Sequence, residues 1–197
     1  MIGMKRLENA EQCVESVLAD QVEGDLIETG VWRGGTAILM RAVLKARGVT
    51  DRYVYAADSF QGVPPPDADS YPQDEGLDLS GNRSLAVPVA DVRANFARYG
   101  LLDEQVRFLE GWFSETLPTV RDRRWAVIRM DGDLYESTMD ALVNLYPNLS
   151  VGGYLIVDDY GAYKACRQAV HDYREMHGIE ESIRDIDFTG VYWRREE

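Results

Sequence analysis

The sequence predicts an α/β fold: a seven-stranded, mostly parallel sheet with helices on both faces and an antiparallel hairpin strand at its C-terminal end. Three observations carry this expectation. Residues 125–133 (Trp-Ala-Val-Ile-Arg-Met-Asp-Gly-Asp) and 152–160 (Gly-Gly-Tyr-Leu-Ile-Val-Asp-Asp-Tyr) are short apolar runs, each ending in a pair of carboxylates. Such runs, bounded by turn residues and rich in Val and Ile, read as buried parallel strands. Similar runs alternate with helical stretches through most of the chain, the pattern of an α/β sheet. Finally, residues 183–188 and 191–195 alternate in polarity and are joined by Thr189-Gly190. That is hairpin chemistry, so the second run must lie antiparallel to the first.

Composition narrows the class. The 197 residues, 45% hydrophobic, suit one domain spanning 1–197. No apolar run approaches the roughly 20 residues of a membrane span, and the N-terminus lacks a signal pattern. Cys13 and Cys166 have no CxxC spacing and read as free thiols in a reducing cytoplasm. A net charge of -13 argues against nucleic-acid binding, which needs a basic surface, and disfavours an anionic membrane surface. It suits a neutral or cationic ligand, although acidic surfaces often serve only solubility.

In order, residues 7–22 carry Leu7, Ala10, Cys13, Val14, Val17 and Leu18 at helical spacing. A strand from Leu26 to Glu28 or Thr29 leads into a loop with Gly30, Gly34 and Gly35, then a helix over 36–44. These glycines do not match G-x-G-x-x-G; they let the backbone turn sharply, with or without a ligand. A second strand over 52–57 ends at Asp58-Ser59. A carboxylate there is placed to accept from both hydroxyls of a ribose, or simply to cap. Residues 61–88, with three consecutive prolines and many acids, form a long irregular loop of the kind that covers active sites. A helix over 89–99 presents Val92, Phe96 and Tyr99 on one face; a third strand over 105–110 follows, with Trp112 as a wall for a flat base or plain core. The strand at Trp125, a helix over 137–146, the strand at Tyr154 and an amphipathic helix over 165–177 complete seven strands and five helices with the closing hairpin. That last helix carries both histidines, His171 and His177, and its amphipathic pattern allows His171 on the solvent face, which argues against a catalytic role for either.

In open α/β sheets, ligands sit outside the carboxyl ends of the strands. Asp131, Asp133, Asp158 and Asp159 are therefore expected to converge on one edge. Four such carboxylates repel unless a divalent cation or shared protons hold them. The alternative is that they only terminate strands. No His or Cys lies near in sequence, which disfavours zinc.

A sheet of this layout resembles class I methyltransferases, which are Rossmann-like and use S-adenosylmethionine. The residues go further. Gly-Asp-Leu-Ile-Glu-Thr-Gly-Val-Trp-Arg-Gly-Gly, Ala-Asp-Ser-Phe-Gln-Gly-Val-Pro, Gly-Trp-Phe-Ser-Glu-Thr-Leu-Pro, Arg-Met-Asp-Gly-Asp-Leu-Tyr-Glu-Ser-Thr and Val-Asp-Asp-Tyr closely resemble the macrocin O-methyltransferase family, in order and across the chain. The resemblance implies methylation of deoxysugar hydroxyls on glycosylated small molecules such as macrolides. It implies Mg²⁺ held by Asp131, Asp158 and Asp159, with Asp133 as general base. Glu28, Gly30, Asp58, Ser59 and Gly62, with Ser84 further along, match the cofactor-binding loops. Family members usually carry a further segment before Met-Ile-Gly that helps cover the site and form a dimer; this sequence starts at that motif. Two rivals remain at this level: a glycosyltransferase using Asp131-Gly-Asp133 as a D-x-D metal motif, and a binding subunit without turnover.

Overall fold

The computed structural model describes residues 2–196. Seven strands form one sheet in the order β3-β2-β1-β4-β5-β7-β6. They are β1 (Asp25–Thr29), β2 (Val54–Asp58), β3 (Val106–Glu110), β4 (Trp125–Met130), β5 (Leu149–Val157), β6 (Arg184–Asp185) and β7 (Val191–Arg194). The first five run parallel, and β7 pairs antiparallel to both β5 and β6. The expected architecture is therefore the observed one.

Burial explains why β4 anchors the sheet. All six of its residues are buried, as befits a central parallel strand covered on both faces. The edges are blunted: β6 is two exposed residues and β3 is half-exposed. On one face α1 (Met4–Ala19), α2 (Gly35–Ala46) and α3 (Val89–Arg98) pack through Ala10, Val14, Met40, Leu44, Val92 and Phe96. On the other, α5 (Tyr135–Leu145) and α6 (Lys164–His177) pack through Leu142, Leu145, Val170 and Tyr173 around Trp125 and Trp193. Cys13 and Cys166 are free and buried. Among the described residues no helix is long and apolar enough to cross a membrane.

The structure adds one helix to the five expected: the single turn α4 (Phe113–Thr116), which runs into a tight turn at Leu117–Val120. It is too short to show helical periodicity in sequence. Tyr99, expected on the inner face of α3, is 71% exposed, because the helix ends at Arg98. The 61–88 segment holds only two short 3-10 turns, Pro72–Asp74 and Arg83–Leu85.

The glycines of the first loop serve packing. Gly30 has φ +82, and a Cβ there would lie 1.7 Å from the Asp131 carbonyl oxygen. Gly34 has φ +86, and a Cβ would meet Val92 of α3 at 2.9 Å. The loop after β1 thus seats directly on the backbone that follows β4. Gly30→Ala is expected to lower the melting temperature by about 5 °C or more, since it adds both a disfavoured φ and a backbone clash; thermal unfolding followed by circular dichroism measures this.

Candidate active site

A cavity of about 430 Å³ opens at the carboxyl ends of β1, β2 and β4. This is where the strand order reverses between β1 and β4, and α/β sheets bind ligands at that switch point. Gly30, Trp32 and Asp58 line one side; Asp131, Gly132 and Asp133 line the floor; Glu136, Ser137 and Asp140 of α5 form a wall. Gly62 to Pro65, Asp67 and Leu85 supply the roof, so the 61–88 segment lies over the cavity. Trp112 also lines it and is not part of the deep core.

The residues matched to cofactor loops divide. Gly30, Asp58, Ser59 and Gly62 lie on the cavity wall. Asp58 Oδ2 accepts from the Val31 and Trp32 amides at 2.7 and 3.1 Å, and Oδ1 accepts from Phe60 N at 2.7 Å. Ser59 Oγ donates to the Gly62 carbonyl at 2.7 Å, which shapes the turn. Glu28 and Ser84 do not line the cavity. Glu28 is buried, with Oε2 accepting from Ala37 N at 2.8 Å and Oε1 accepting from Arg129 Nη1 at 2.6 Å. Burial raises its pKa to about 7, although Arg129 pulls it down. Ser84 is exposed; its hydroxyl donates to Asn82 and its carbonyl accepts from Trp32 Nε1 at 2.8 Å.

The four carboxylates also divide. Asp131, Asp133 and Asp159 each offer an oxygen within 4.8 Å of the others. Asp158 is not part of that group. Its Oδ2 accepts from Arg6 Nη1 at 2.5 Å, and its Oδ1 lies 2.7 Å from Arg129 Nη2. Arg6 of α1 also donates to Asp187 at 2.8 Å, so α1 and the β6–β7 turn clasp Asp158 together. Burial raises Asp158 above the usual carboxylate range; Arg129 opposes this, Asp131 adds to it, and Arg6 opposes it again. Burial and the charges of Asp131 and Asp158 raise Asp133 to about 7. Burial, then Asp131, Asp133 and Asp158, lift Asp159 well above its ordinary value. Asp133 sits at φ +58, an uncommon conformation for a non-glycine residue, and its amide donates to Asp159 Oδ2 at 3.1 Å.

Arg129 ties these groups together. Only 3% exposed, its guanidinium reaches Glu28 at 2.6 Å, Asp131 at 2.9 Å and Asp158 at 2.7 Å. Burial alone would depress its pKa; Asp131, Asp158 and Glu28 outweigh that and raise it. Its role was missed in the sequence reading. The signal was available: Arg129 is the only charged residue within the apolar run of β4, and a buried charge needs partners. Trp32, Glu136 and Asp140 were missed because helix and loop residues gain a role only from what folds against them.

A parallel sheet closed by an antiparallel pair, with a carboxylate-floored cavity at its switch point, is a Rossmann-like α/β layout with a ligand site where such folds place one. A family model described as Macrocin-O-methyltransferase (TylF) matches residues 1–195. The chain is 62% identical over 98% of its length to the 8-demethyl-8-(2,3-dimethoxy-alpha-L-rhamnosyl)-tetracenomycin-C 4'-O-methyltransferase of Streptomyces olivaceus, covering 74% of that protein. It is 56% identical over 99% of its length to the mycinamicin III 3''-O-methyltransferase of Micromonospora griseorubida, covering 78% of it. The solved structure of the O-methyltransferase NovP superposes with a TM-score of 0.97 at 56% identity, over 100% of this chain and 81% of that one. The chain belongs to the macrocin O-methyltransferase family. That membership favours methyl transfer over the nucleotide-sugar reading of Asp131-Gly-Asp133.

Two outcomes follow from the buried charges. Arg129→Met leaves Glu28 and Asp158 without their shared cation and is expected to cost roughly 3–5 kcal/mol by urea denaturation; adding Glu28→Gln should recover part of it. Raised carboxylate pKa values mean that the folded state holds protons the unfolded chain releases near pH 4. The stability this contributes is full below that pH and is lost as pH rises through about 7. The melting temperature is therefore expected to fall between about pH 5 and about pH 8, and Asp133→Asn should flatten the slope.

Proposed function

We propose that the protein transfers the methyl group of S-adenosylmethionine to a sugar hydroxyl of a glycosylated natural product, with the help of Mg²⁺. The observation that carries this is the group of three carboxylates, Asp131, Asp133 and Asp159, within 4.8 Å beside the cavity. An all-oxygen donor set with no imidazole or thiolate suits a small hard cation. The names of two relatives, a rhamnosyl-tetracenomycin 4'-O-methyltransferase and a mycinamicin III 3''-O-methyltransferase, support the choice of acceptor class.

The cofactor reading rests on Asp58, Ser59, Gly30 and Gly62. Asp58 Oδ1 accepts only one protein hydrogen bond, which leaves acceptor capacity for a ribose hydroxyl. Gly30 and Gly62 present bare backbone to the cavity. Glu28 supports this wall indirectly, by holding the start of α2 through Ala37 N.

The reaction is an in-line displacement. The sugar oxygen attacks the sulfonium methyl carbon, the carbon–sulfur bond breaks with its electron pair going to sulfur, and the hydroxyl proton leaves to a base. Asp133 is the candidate base, because its carboxylate lines the cavity floor beside Asp131. When bound, a divalent cation supplies the positive charge that lowers the pKa of a neighbouring sugar hydroxyl. Asp131 and Asp159 would hold it. Asp158 belongs to the ligand set implied by the family resemblance, yet its two oxygens face Arg6 and Arg129. The residues that orient the acceptor would be Glu136, Ser137 and Asp140 along α5.

Titration calorimetry with S-adenosylhomocysteine and Mg²⁺, combined with mass-spectrometric detection of a methylated sugar acceptor, tests this reading. Asp131→Asn and Asp159→Asn should each abolish turnover and weaken Mg²⁺ binding at least tenfold, about 1.4 kcal/mol, while S-adenosylhomocysteine still binds. Asp158→Asn should weaken Mg²⁺ less than either; an equal loss would put Asp158 among the ligands. Full activity of all three in chelator would overturn the metal role. Unchanged turnover in Asp133→Asn would remove it as base.

A further inference from the structure

One aspartate of the 61–88 segment is buried completely. Asp74 is 0% exposed, whereas its neighbours Gln73 and Glu75 are exposed. Its Oδ1 accepts from Tyr135 N at 2.6 Å and its Oδ2 from Glu136 N at 3.1 Å. These are the first two amides of α5. A helix begins with N–H groups that have no partner inside the helix, and Ser, Thr, Asp or Asn just before it usually satisfies one. The residue before α5 is Leu134, which has no side chain able to do this. The cap comes instead from a residue 61 positions upstream. Its negative charge also meets the positive end of the helix dipole.

The joint is reinforced beside Asp74. The Tyr71 ring packs 6.1 Å from that of Tyr135. Tyr135 in turn donates through its hydroxyl to Asp172 of α6 at 3.0 Å. The same segment is held at its far end by the Trp32 Nε1 bond to the Ser84 carbonyl. Between these anchors and the chain's entry at Gly62 lies the roof of the cavity. On the other side of the joint, the first turns of α5 carry Glu136 and Asp140 on the cavity wall, and the two residues before Tyr135 are Asp133 and Leu134.

We propose that Asp74 is a positioning residue for methyl transfer: by capping α5 from within the roof segment, it sets the roof, the acceptor-facing wall and the Asp133 turn in one fixed arrangement. This rests on the reading of the cavity as the methyl-transfer site. The physical reason is that one side chain bridges two elements that share no covalent neighbourhood. Removing it releases the loop and uncaps the helix in one step. Asp133 is the residue most exposed to that release, because its left-handed backbone persists only while its surroundings enforce it.

Hydrogen–deuterium exchange on the full chain, with and without S-adenosylhomocysteine, tests this. Asp74→Ala should raise exchange about tenfold or more in two separate regions, residues 62–85 and 133–138, while β1 and α2 stay unchanged. Asp74→Asn, which keeps one acceptor oxygen, should restore part of the protection in both. S-adenosylhomocysteine affinity should change less than threefold. With any sugar acceptor that the wild type methylates, KM should rise at least fivefold and kcat should fall at least twofold, because the Asp133 turn loosens with the wall; unchanged KM and kcat would overturn the positioning role. Faster exchange at 133–138 alone would show a local cap with no hold on the roof and would overturn the proposal, as would unchanged exchange in both regions. If Asp74→Ala does not fold, Asp74→Asn and Tyr71→Ala carry the same comparison: coupled loosening of both regions supports the joint, and uncoupled loosening overturns it. Failure of the wild type to bind S-adenosylhomocysteine would count against the methyltransferase reading of the cavity and leave the exchange result to stand or fall separately.

Discussion

The buried guanidinium of Arg129 is the interaction on which the site depends. Strands β1, β4 and β5 each deliver a carboxylate to the same edge: Glu28 from β1, Asp131 after β4 and Asp158 after β5. Without a cation among them the edge would be forced either to hold extra protons or to splay. Arg suits the position better than Lys, because a planar fork can reach several carboxylates at once and does not lose its charge on burial. The result is a division of labour. Glu28 and Asp158 are paired with Arg129 within the protein, while Asp131 and Asp133 line the cavity and Asp159 lies beside them. Buried ion clusters of this kind add little to stability compared with a well-packed apolar core. Their contribution here is to the placement of charge.

Most of the backbone strain lies at the same edge. Of the four described non-glycine residues with positive φ, Gln21 follows α1, and Trp32, Phe60 and Asp133 lie in turns that leave the carboxyl ends of β1, β2 and β4. Each turn is held by hydrogen bonds to an aspartate: Asp58 receives the amides of Val31, Trp32 and Phe60, and Asp159 receives that of Asp133. Aspartate therefore has two uses on this edge. Some carboxylates organise loops, and others face the ligand space. The roof segment follows the same logic, since Asp74 spends its carboxylate on two helix amides.

This explains which residues could be read from the chain alone. The strands were legible because burial on both faces demands uninterrupted apolar runs, and the hairpin because Thr189-Gly190 leaves little other choice. Gly30, Asp58, Ser59, Gly62, Asp131 and Asp133 were legible as residues of one edge, and they line the cavity there, because they follow strand ends and strand ends meet at the sheet's edge. Glu28 and Ser84 occupy the right loops yet face away from the cavity, one toward Arg129 and the other toward solvent. The turn α4 and the inner end of α3 were misjudged because a single helical turn, or a final residue, carries no periodicity.

What the sequence determined by itself was the fold, the edge of the sheet where the cavity opens and the residue types gathered there, since all three follow from hydrophobic period and strand direction. What only the tertiary structure decided was the direction in which each carboxylate points. Asp158 and Asp159 are adjacent in sequence, in the bend that follows β5. One meets Arg6 and Arg129 and the other meets the Asp133 turn. Those partners lie 152, 29 and 26 positions away in the chain, the middle figure being 158 minus 129. Contacts of that separation leave no local trace, because they exist only once the sheet and its covering helices have closed around them.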